Sequence, residues 1–276
     1  MRLRQLGNSG IFPGLFFSPA DYFVCNFTCL FALGFSECFS LRLDEAKRDH
    51  YRKRAKEEGY RSRAAFKLLQ INQKYRLIKE RDRVVDIGSA PGGWLEVASK
   101  QVGPDGLVIG VDLVHVNQVG KNVKLIMADI FSPDFPDKLH FALGKGNADS
   151  VIADLSPKVS GIWDMDQFRQ IELCHRVVDL LPSILIRGGS NIMKAFQGED
   201  FESLHRRLKK SFPRVEVSKP NASRSVSSEV YLVSMDFTGK VEPRPTEVHE
   251  EERQSEAHSD SIESESPSDR LTVALS

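Results

Sequence analysis

From Asp82 onward, short apolar runs alternate with longer segments whose apolar residues recur at helical spacing. RVVDIG (83–88), LVIGVDL (107–113), VKLIMADI (123–130), DSVIADL (149–155) and SNIMKAF (190–196) predict buried strands. PGGWLEVASKQV (91–102) and MDQFRQIELCHRVVDLLPSIL (165–185) predict helices, and EDFESLHRRLKKSF (199–212) an amphipathic one. RVEVSKP (214–220) and SEVYLVSMDF (228–237), joined by the polar loop NASRSVSS, predict a closing antiparallel hairpin. Strands alternating with helices imply an α/β fold: a seven-stranded, mostly parallel sheet with helices on both faces.

The flanks follow other patterns. Residues 44–60 (DEAKRDHYRKRAKEEGY) predict a charged helix with little apolar face, breaking near Gly59. Residues 62–74 carry Ala65, Phe66, Leu68, Leu69 and Ile71, an apolar stripe at helical spacing. Residues 11–36 are apolar and Phe-rich, but Pro13, Pro19, Asp21 and Asn26 interrupt what would have to be about 20 apolar residues to span a bilayer. The first methionine after Met1 is Met127. Residues 1–41 are therefore read as upstream sequence joined by a misassigned start, or as a poorly folding extension. A membrane anchor is the runner-up. Residues 239–276 are Glu-, Ser- and Pro-rich, and predict a disordered acidic tail. The chain thus divides into an apolar extension (1–41), a basic helical segment (42–81), an α/β domain (82–238) and the tail (239–276).

Composition refines this. Across 276 residues, 41% are apolar and 28% charged, which excludes a fibre, a wholly disordered chain and a multi-span membrane protein. The formal net charge of zero conceals a polarity: 33 bases and 26 acids lie between Arg42 and Lys240, against 3 bases and 10 acids from Val241 to the end. The excess is concentrated in Arg42–Arg83, with 15 bases and 7 acids. Such a split points to a polyanionic partner. Arg52, Lys53, Arg54, Lys56, Arg61 and Arg63, with a second cluster at Arg206, Arg207, Lys209 and Lys210, are candidate phosphate contacts. Tyr51, Tyr60 and Phe66 are candidate base-stacking residues, Phe66 being the best suited to the core. The four cysteines (Cys25, Cys29, Cys38, Cys174) form no CxxC pair and no zinc-finger spacing, so no metal site is expected. They read as free thiols of a reducing, cytoplasmic compartment.

The chemistry concentrates where the first strand turns into a helix, at DIGSAPGGW (86–94). In a doubly wound sheet this is the cofactor crevice. The spacing is neither GxGxxG nor a Walker loop, which disfavours dinucleotides and triphosphates. Asp112 ends the second strand, where an acid accepts from ribose hydroxyls. Asp129 ends the third, where an acid can accept from an exocyclic amine. Glycine turn, ribose acid and adenine acid together indicate S-adenosylmethionine.

SRAAFKL (62–68), DIGSAPGGW (86–94), ADLSP (153–157), MKAFQGE (193–199) and SEVYLV (228–233) together resemble the motifs of the FtsJ/RrmJ family of RNA ribose 2′-O-methyltransferases. The resemblance spans about residues 44–238 and is strongest to members acting on large-subunit ribosomal RNA. It implies a class I, Rossmann-like methyltransferase domain. It also implies a Lys-Asp-Lys-Glu tetrad at Lys67, Asp154, Lys194 and Glu229, with cofactor contacts at Gly92, Trp94, Asp112, Asp129 and Asp154. Ser89 stands where many members have Ala. The implied reaction is 2′-O-methylation of a uridine of 23S ribosomal RNA by a monomer, with no stable membrane partner. A tRNA ribose methyltransferase is the alternative within the family. A catalytically silent ribosome-assembly factor is the alternative outside it, and the intact tetrad speaks against that.

A ribose hydroxyl is a poor nucleophile, and its proton must leave as it attacks. A neutral lysine can take it, but free lysine titrates near about 10.4. Burial and a second nearby cation lower that value, which casts Lys194 as base and Lys67 as the second cation. Asp154 would orient Lys194 and the methyl donor, and Glu229 would hold Lys67 or the ribose. ADLSP also differs from the Asn/Asp-Pro-Pro-aromatic motif of amino-group methyltransferases, because a lone Pro157 follows Ser156.

Overall fold

The computed structural model describes residues 50–224 and 227–244. The expectations for residues 1–41, including Cys25, Cys29 and Cys38, and for most of the acidic tail, lie outside the described residues.

After a leading helical segment over 50–57, which ends before Gly59 in the left-handed region (φ +74°), the chain forms α1 (Ala65–Tyr75), β1 (Arg83–Ile87) and α2 (Gly93–Val102). It continues through β2 (Leu107–Asp112), β3 (Val123–Met127), α3 (Phe135–Leu143), β4 (Ala148–Ala153) and α4 (Trp163–Ile184). It ends with β5 (Leu185–Phe196), α5 (Phe201–Ser211), β6 (Arg214–Ser218) and β7 (Glu229–Met235). The sheet order is β3-β2-β1-β4-β5-β7-β6, with every pairing parallel except those of β7, which runs antiparallel to both neighbours. The order reverses between β1 and β4, so a crevice opens beyond the carboxyl ends of those two strands.

Side-chain alternation along each strand builds two cores. Val85, Ile87, Ile109, Val151 and Met193 face α3, α4 and α5. Val84, Val108, Ile152, Ile192, Tyr231 and Val233 face α1 and α2. Helix α1 contributes Ala65, Leu68 and Ile71 to the second core, so this part of the basic segment is built into the sheet's cover rather than standing apart from it.

Three details differ from the expectation. First, β5 begins five residues before the predicted start. Its pairing with β4 shifts between Ala148 and Ser150, and Gly188 (φ +79°) sits in that irregularity, so the strand runs through the stretch between the predicted helix and the predicted strand. Second, α3 was not predicted. Its Phe135, Leu139, Ala142 and Leu143 are buried at helical spacing, in a segment whose Pro and Gly residues suggest a loop. Third, residues 239–244, which composition places in the acidic tail, are held in place. Arg244 donates to Asp179 (2.8 Å) and Glu172 (2.9 Å) on α4, and Arg207 donates to the Glu242 carbonyl (2.8 Å). Among the described residues, no helix is long and apolar enough to cross a membrane.

Candidate active site

The β1–α2 turn begins at Gly88 (φ +81°), where a β-carbon would lie 2.8 Å from Leu155 Cδ2 and 3.0 Å from its Cα. Only glycine fits so close to the β4 loop. Asp112 braces the turn by accepting from Ala90 N–H (2.8 Å) with one oxygen and from Val114 N–H (3.1 Å) with the other. Asp129, two residues beyond the end of β3, accepts from Phe131 N–H (2.9 Å). Asp112, Asp129 and Asp154 then line one cavity of about 300 Å³, whose walls include Leu113, Ile130 and Leu155. Each carboxylate oxygen has two acceptor sites, so these acids retain capacity toward the cavity.

Three carboxylates above an apolar wall would repel a phosphate. They suit a ligand that is cationic and rich in donors, as a sulfonium nucleoside with its ribose hydroxyls and amines is. Gly92 and Trp94 are not among the cavity's lining residues. Gly92 caps α2 at φ +111°. The Trp94 side chain is committed to the core, donating Nε1–H to the Ala64 carbonyl (2.9 Å) and packing 5.7 Å from the Tyr231 ring. Any contact these two residues make with a cofactor would come through backbone.

Asp86 lies beneath the same turn, fully buried, and neither carboxyl oxygen has a hydrogen-bond partner among the described residues. Burial pushes its carboxyl well above the usual range, and Asp154 and Asp112 add to the effect. A raised folded pKa means the native state holds this proton more tightly. Stability is then lost as pH rises from the unfolded value, about 3.9, through the folded one. Asp86→Asn removes that loss, so its melting temperature relative to wild type should climb as pH increases from 4 to 8. A difference that stays flat across thermal unfolding curves in this range would contradict the assignment.

Sheet register assembles the other residues. Lys194 on β5 pairs across the ladder with Tyr231 on β7, and Phe196 pairs with Glu229. Ala153 pairs with Met193, which brings Asp154 beside Lys194. By alternation Lys194, Phe196, Glu229 and Tyr231 share the face covered by α1, from which Lys67 descends. Lys67 and Lys194 are only 8% and 7% exposed. Lysine is rarely buried without a partner, and each here has a carboxylate. Lys67 Nζ donates to Glu229 Oε1. Lys194 Nζ lies 3.2 Å from Asp154 Oδ1 and donates to the Asp154 carbonyl at 3.1 Å. The Lys194 carbonyl accepts from Gln170 Nε2 (2.8 Å) and from the Cys174 thiol (3.2 Å), so α4 fixes the backbone behind the amine. Burial pushes the Cys174 thiol up to about 12, which keeps it a donor. Burial alone would raise the Glu229 carboxyl, but the Lys67 ammonium beside it holds it below its ordinary value.

The sequence did not single out Tyr231. Its hydroxyl lies 3.2 Å from both Asp154 Oδ1 and Glu229 Oε1, joining the two lysine–carboxylate pairs into one network. The alternation Glu229-x-Tyr231 on an inward-facing strand was the available signal. Burial and the two flanking carboxylates push this phenol well above its ordinary range, so it remains a donor. A hydrogen bond to a charged group contributes about 1.5–3 kcal/mol. Tyr231→Phe should therefore lower the stability of the fold by about 1.5–3 kcal/mol, read as a lower urea midpoint at unchanged slope. A midpoint equal to that of wild type would mean that the hydroxyl holds neither carboxylate.

The basic residues divide. Arg61 donates to the carbonyls of Asn117 (2.7 Å) and Gln118 (2.8 Å) and pairs with Glu96, a structural clamp rather than a phosphate contact. Arg207 is buried against Asp179 and His175. Arg52 and Lys56 are exposed. Tyr51 and Tyr60 pack against the buried Phe66, with ring centroids 5.4 and 5.6 Å away.

A seven-stranded sheet, parallel but for its β7 pairings, with an acidic, glycine-lined crevice at its switch point is the architecture of a class I, Rossmann-like methyltransferase. Comparison with known proteins agrees. Residues 60–237 match the FtsJ-like methyltransferase family. The chain is 46% identical over 197 residues to the protein named ribosomal RNA large subunit methyltransferase E of Methanothermobacter thermautotrophicus, covering 71% of this chain and 93% of the relative. It is 42% identical over 201 residues to the protein of the same name in Coxiella burnetii, covering 71% and 94%. A crystal structure described as a ribosomal RNA methyltransferase from Plasmodium falciparum superposes with a TM-score of 0.59 at 28% identity, over 66% of this chain and all of that one. The chain belongs to the FtsJ-like methyltransferase family.

Proposed function

We propose that this protein methylates the 2′-oxygen of a uridine ribose in large-subunit (23S) ribosomal RNA, working as a monomer in the cytoplasm. The observation that carries this reading is the position of the four-residue network. Asp154 lines the acidic cavity. Lys67 and Glu229 line a second cavity of about 350 Å³, which also contacts Arg63 and Arg224. The network therefore stands between a pocket suited to the methyl donor and one open to a polyanion. The relatives' names supply the substrate class.

S-adenosylmethionine, when bound, supplies an electrophilic methyl group on a sulfonium. Asp112, Asp129 and Asp154 would hold it. The chain's own work is to align the hydroxyl and take its proton. Lys194 Nζ is held by Asp154 through two contacts and, once its ammonium has given one proton to solvent, is the acceptor of the hydroxyl proton in this reading. General-base participation of this kind contributes about 10²–10⁴-fold. Lys67, fixed by Glu229, steers the ribose. Tyr231 stands between the two carboxylates, and its single O–H proton can be donated to either, which links the two pairs.

Exposed bases of the leading helical segment would meet phosphates, which makes binding salt-dependent and insensitive to sequence. The test is methyl acceptance from labelled S-adenosylmethionine by large-subunit particles lacking the modification, compared with bulk tRNA. Acceptance by the particles is expected. Acceptance by tRNA alone would move the substrate while keeping the chemistry. Acceptance by neither, with the cofactor bound, would leave the assembly-factor reading.

A further inference from the structure

The second cavity has an aromatic wall that the chemistry above does not use. Trp163, in the first turn of α4, lines it and stacks on Phe196 with centroids 5.7 Å apart and planes at 27°. Trp163 remains 47% exposed, although it is one of only two tryptophans in the chain. Its placement is fixed from two sides. Asp166 accepts from Ser160 N–H and Oγ–H (both 2.7 Å) and from Gly161 N–H (3.1 Å), which orders the loop leading into α4. Phe196 lies two residues beyond Lys194 on β5 and opposite Glu229. Two strand residues span roughly 6.8 Å, and both side chains leave the same face of the sheet. The aromatic pair is therefore held at a set offset from the Lys194 amine, on the wall of the cavity that Lys67 and Glu229 also line.

We propose that the Trp163–Phe196 pair is a stacking platform for the nucleobase of the unpaired nucleotide whose ribose lies at the tetrad. This rests on the reading of an RNA ribose as substrate. A ribose presented to Lys194 carries its base within reach of a ring at this offset. Arg63 and Arg224, on the same cavity, suit the flanking phosphates. Stacking on an indole is tolerant of base identity, so the platform sets affinity and orientation and demands a single-stranded or extruded nucleotide.

The experiment uses the full chain. Trp94 is buried, so quenching of tryptophan emission by a short single-stranded oligouridylate reports on Trp163. Saturable quenching is expected in wild type and should vanish in Trp163→Phe, which retains a stackable ring. Trp163→Ala should raise KM for ribosomal particles about 5- to 150-fold, with S-adenosylmethionine affinity unchanged, and Trp163→Phe should recover most of the loss. Quenching that persists in Trp163→Phe, or a KM unmoved in Trp163→Ala, would overturn the platform. The two readings fail separately. Methyl transfer without quenching or a KM effect leaves the RNA activity standing and removes the platform. Saturable Trp163 quenching without methyl transfer to any RNA keeps the platform and removes the activity.

Discussion

Lys194→Ala should reduce single-turnover methyl transfer by about 10²–10⁴-fold while leaving S-adenosylmethionine binding close to wild type. The split follows from geometry. Lys194 touches the acidic cavity only through Asp154, and it is not one of that cavity's lining residues. Removing its amine deletes the proposed acceptor of the hydroxyl proton without deleting a carboxylate that would hold the donor. Rapid-quench measurement with enzyme in excess over particles separates this chemical step from product release. An unchanged single-turnover rate would transfer the role of base to another group.

Asp154→Ala should have the broader effect. This one carboxylate contacts Lys194, accepts from the Tyr231 hydroxyl and lines the acidic cavity. Its loss should lower both the methylation rate and the affinity for S-adenosylmethionine. It should also destabilise the fold, because an ammonium only 7% exposed is left without its ion-pair partner. Breaking a buried pair from one side costs about 3–5 kcal/mol. The double variant Asp154→Ala/Lys194→Ala leaves no orphaned charge, so it should be more stable than Asp154→Ala alone. Calorimetric melting of the three variants checks this. Additive losses would mean that the two side chains do not act as a pair.

The sequence made most of this legible because it came in short, strongly patterned blocks. The strand end at Asp112, the place of Asp154 directly after β4 and the glycine turn at Gly88 follow from periodicity and turn chemistry alone. Lys194 was already conspicuous as a lysine inside the apolar run NIMKAF. Lys67 was not: on an amphipathic helix it reads as a surface residue, and only the packing of α1 over the sheet buries it against Glu229. Tyr231 and Trp163 escaped for a related reason. An aromatic residue in a strand or at a helix start is ordinarily core, and what distinguishes these two is long-range neighbours: Asp154 for one, Phe196 for the other. Arg61 and Arg207 erred in the opposite direction. They counted toward a basic surface until the fold committed them to carbonyls and to Asp179.

The most direct test of the central claim is the chemical position of the transferred methyl. Unmodified large-subunit particles are incubated with labelled S-adenosylmethionine and either wild type or Lys194→Ala, and the RNA is digested to nucleosides for mass spectrometry. The account predicts label on the ribose of a 2′-O-methyluridine with wild type, and its loss with Lys194→Ala. Label on a base, or on the ribose at equal rate with Lys194→Ala, would contradict it.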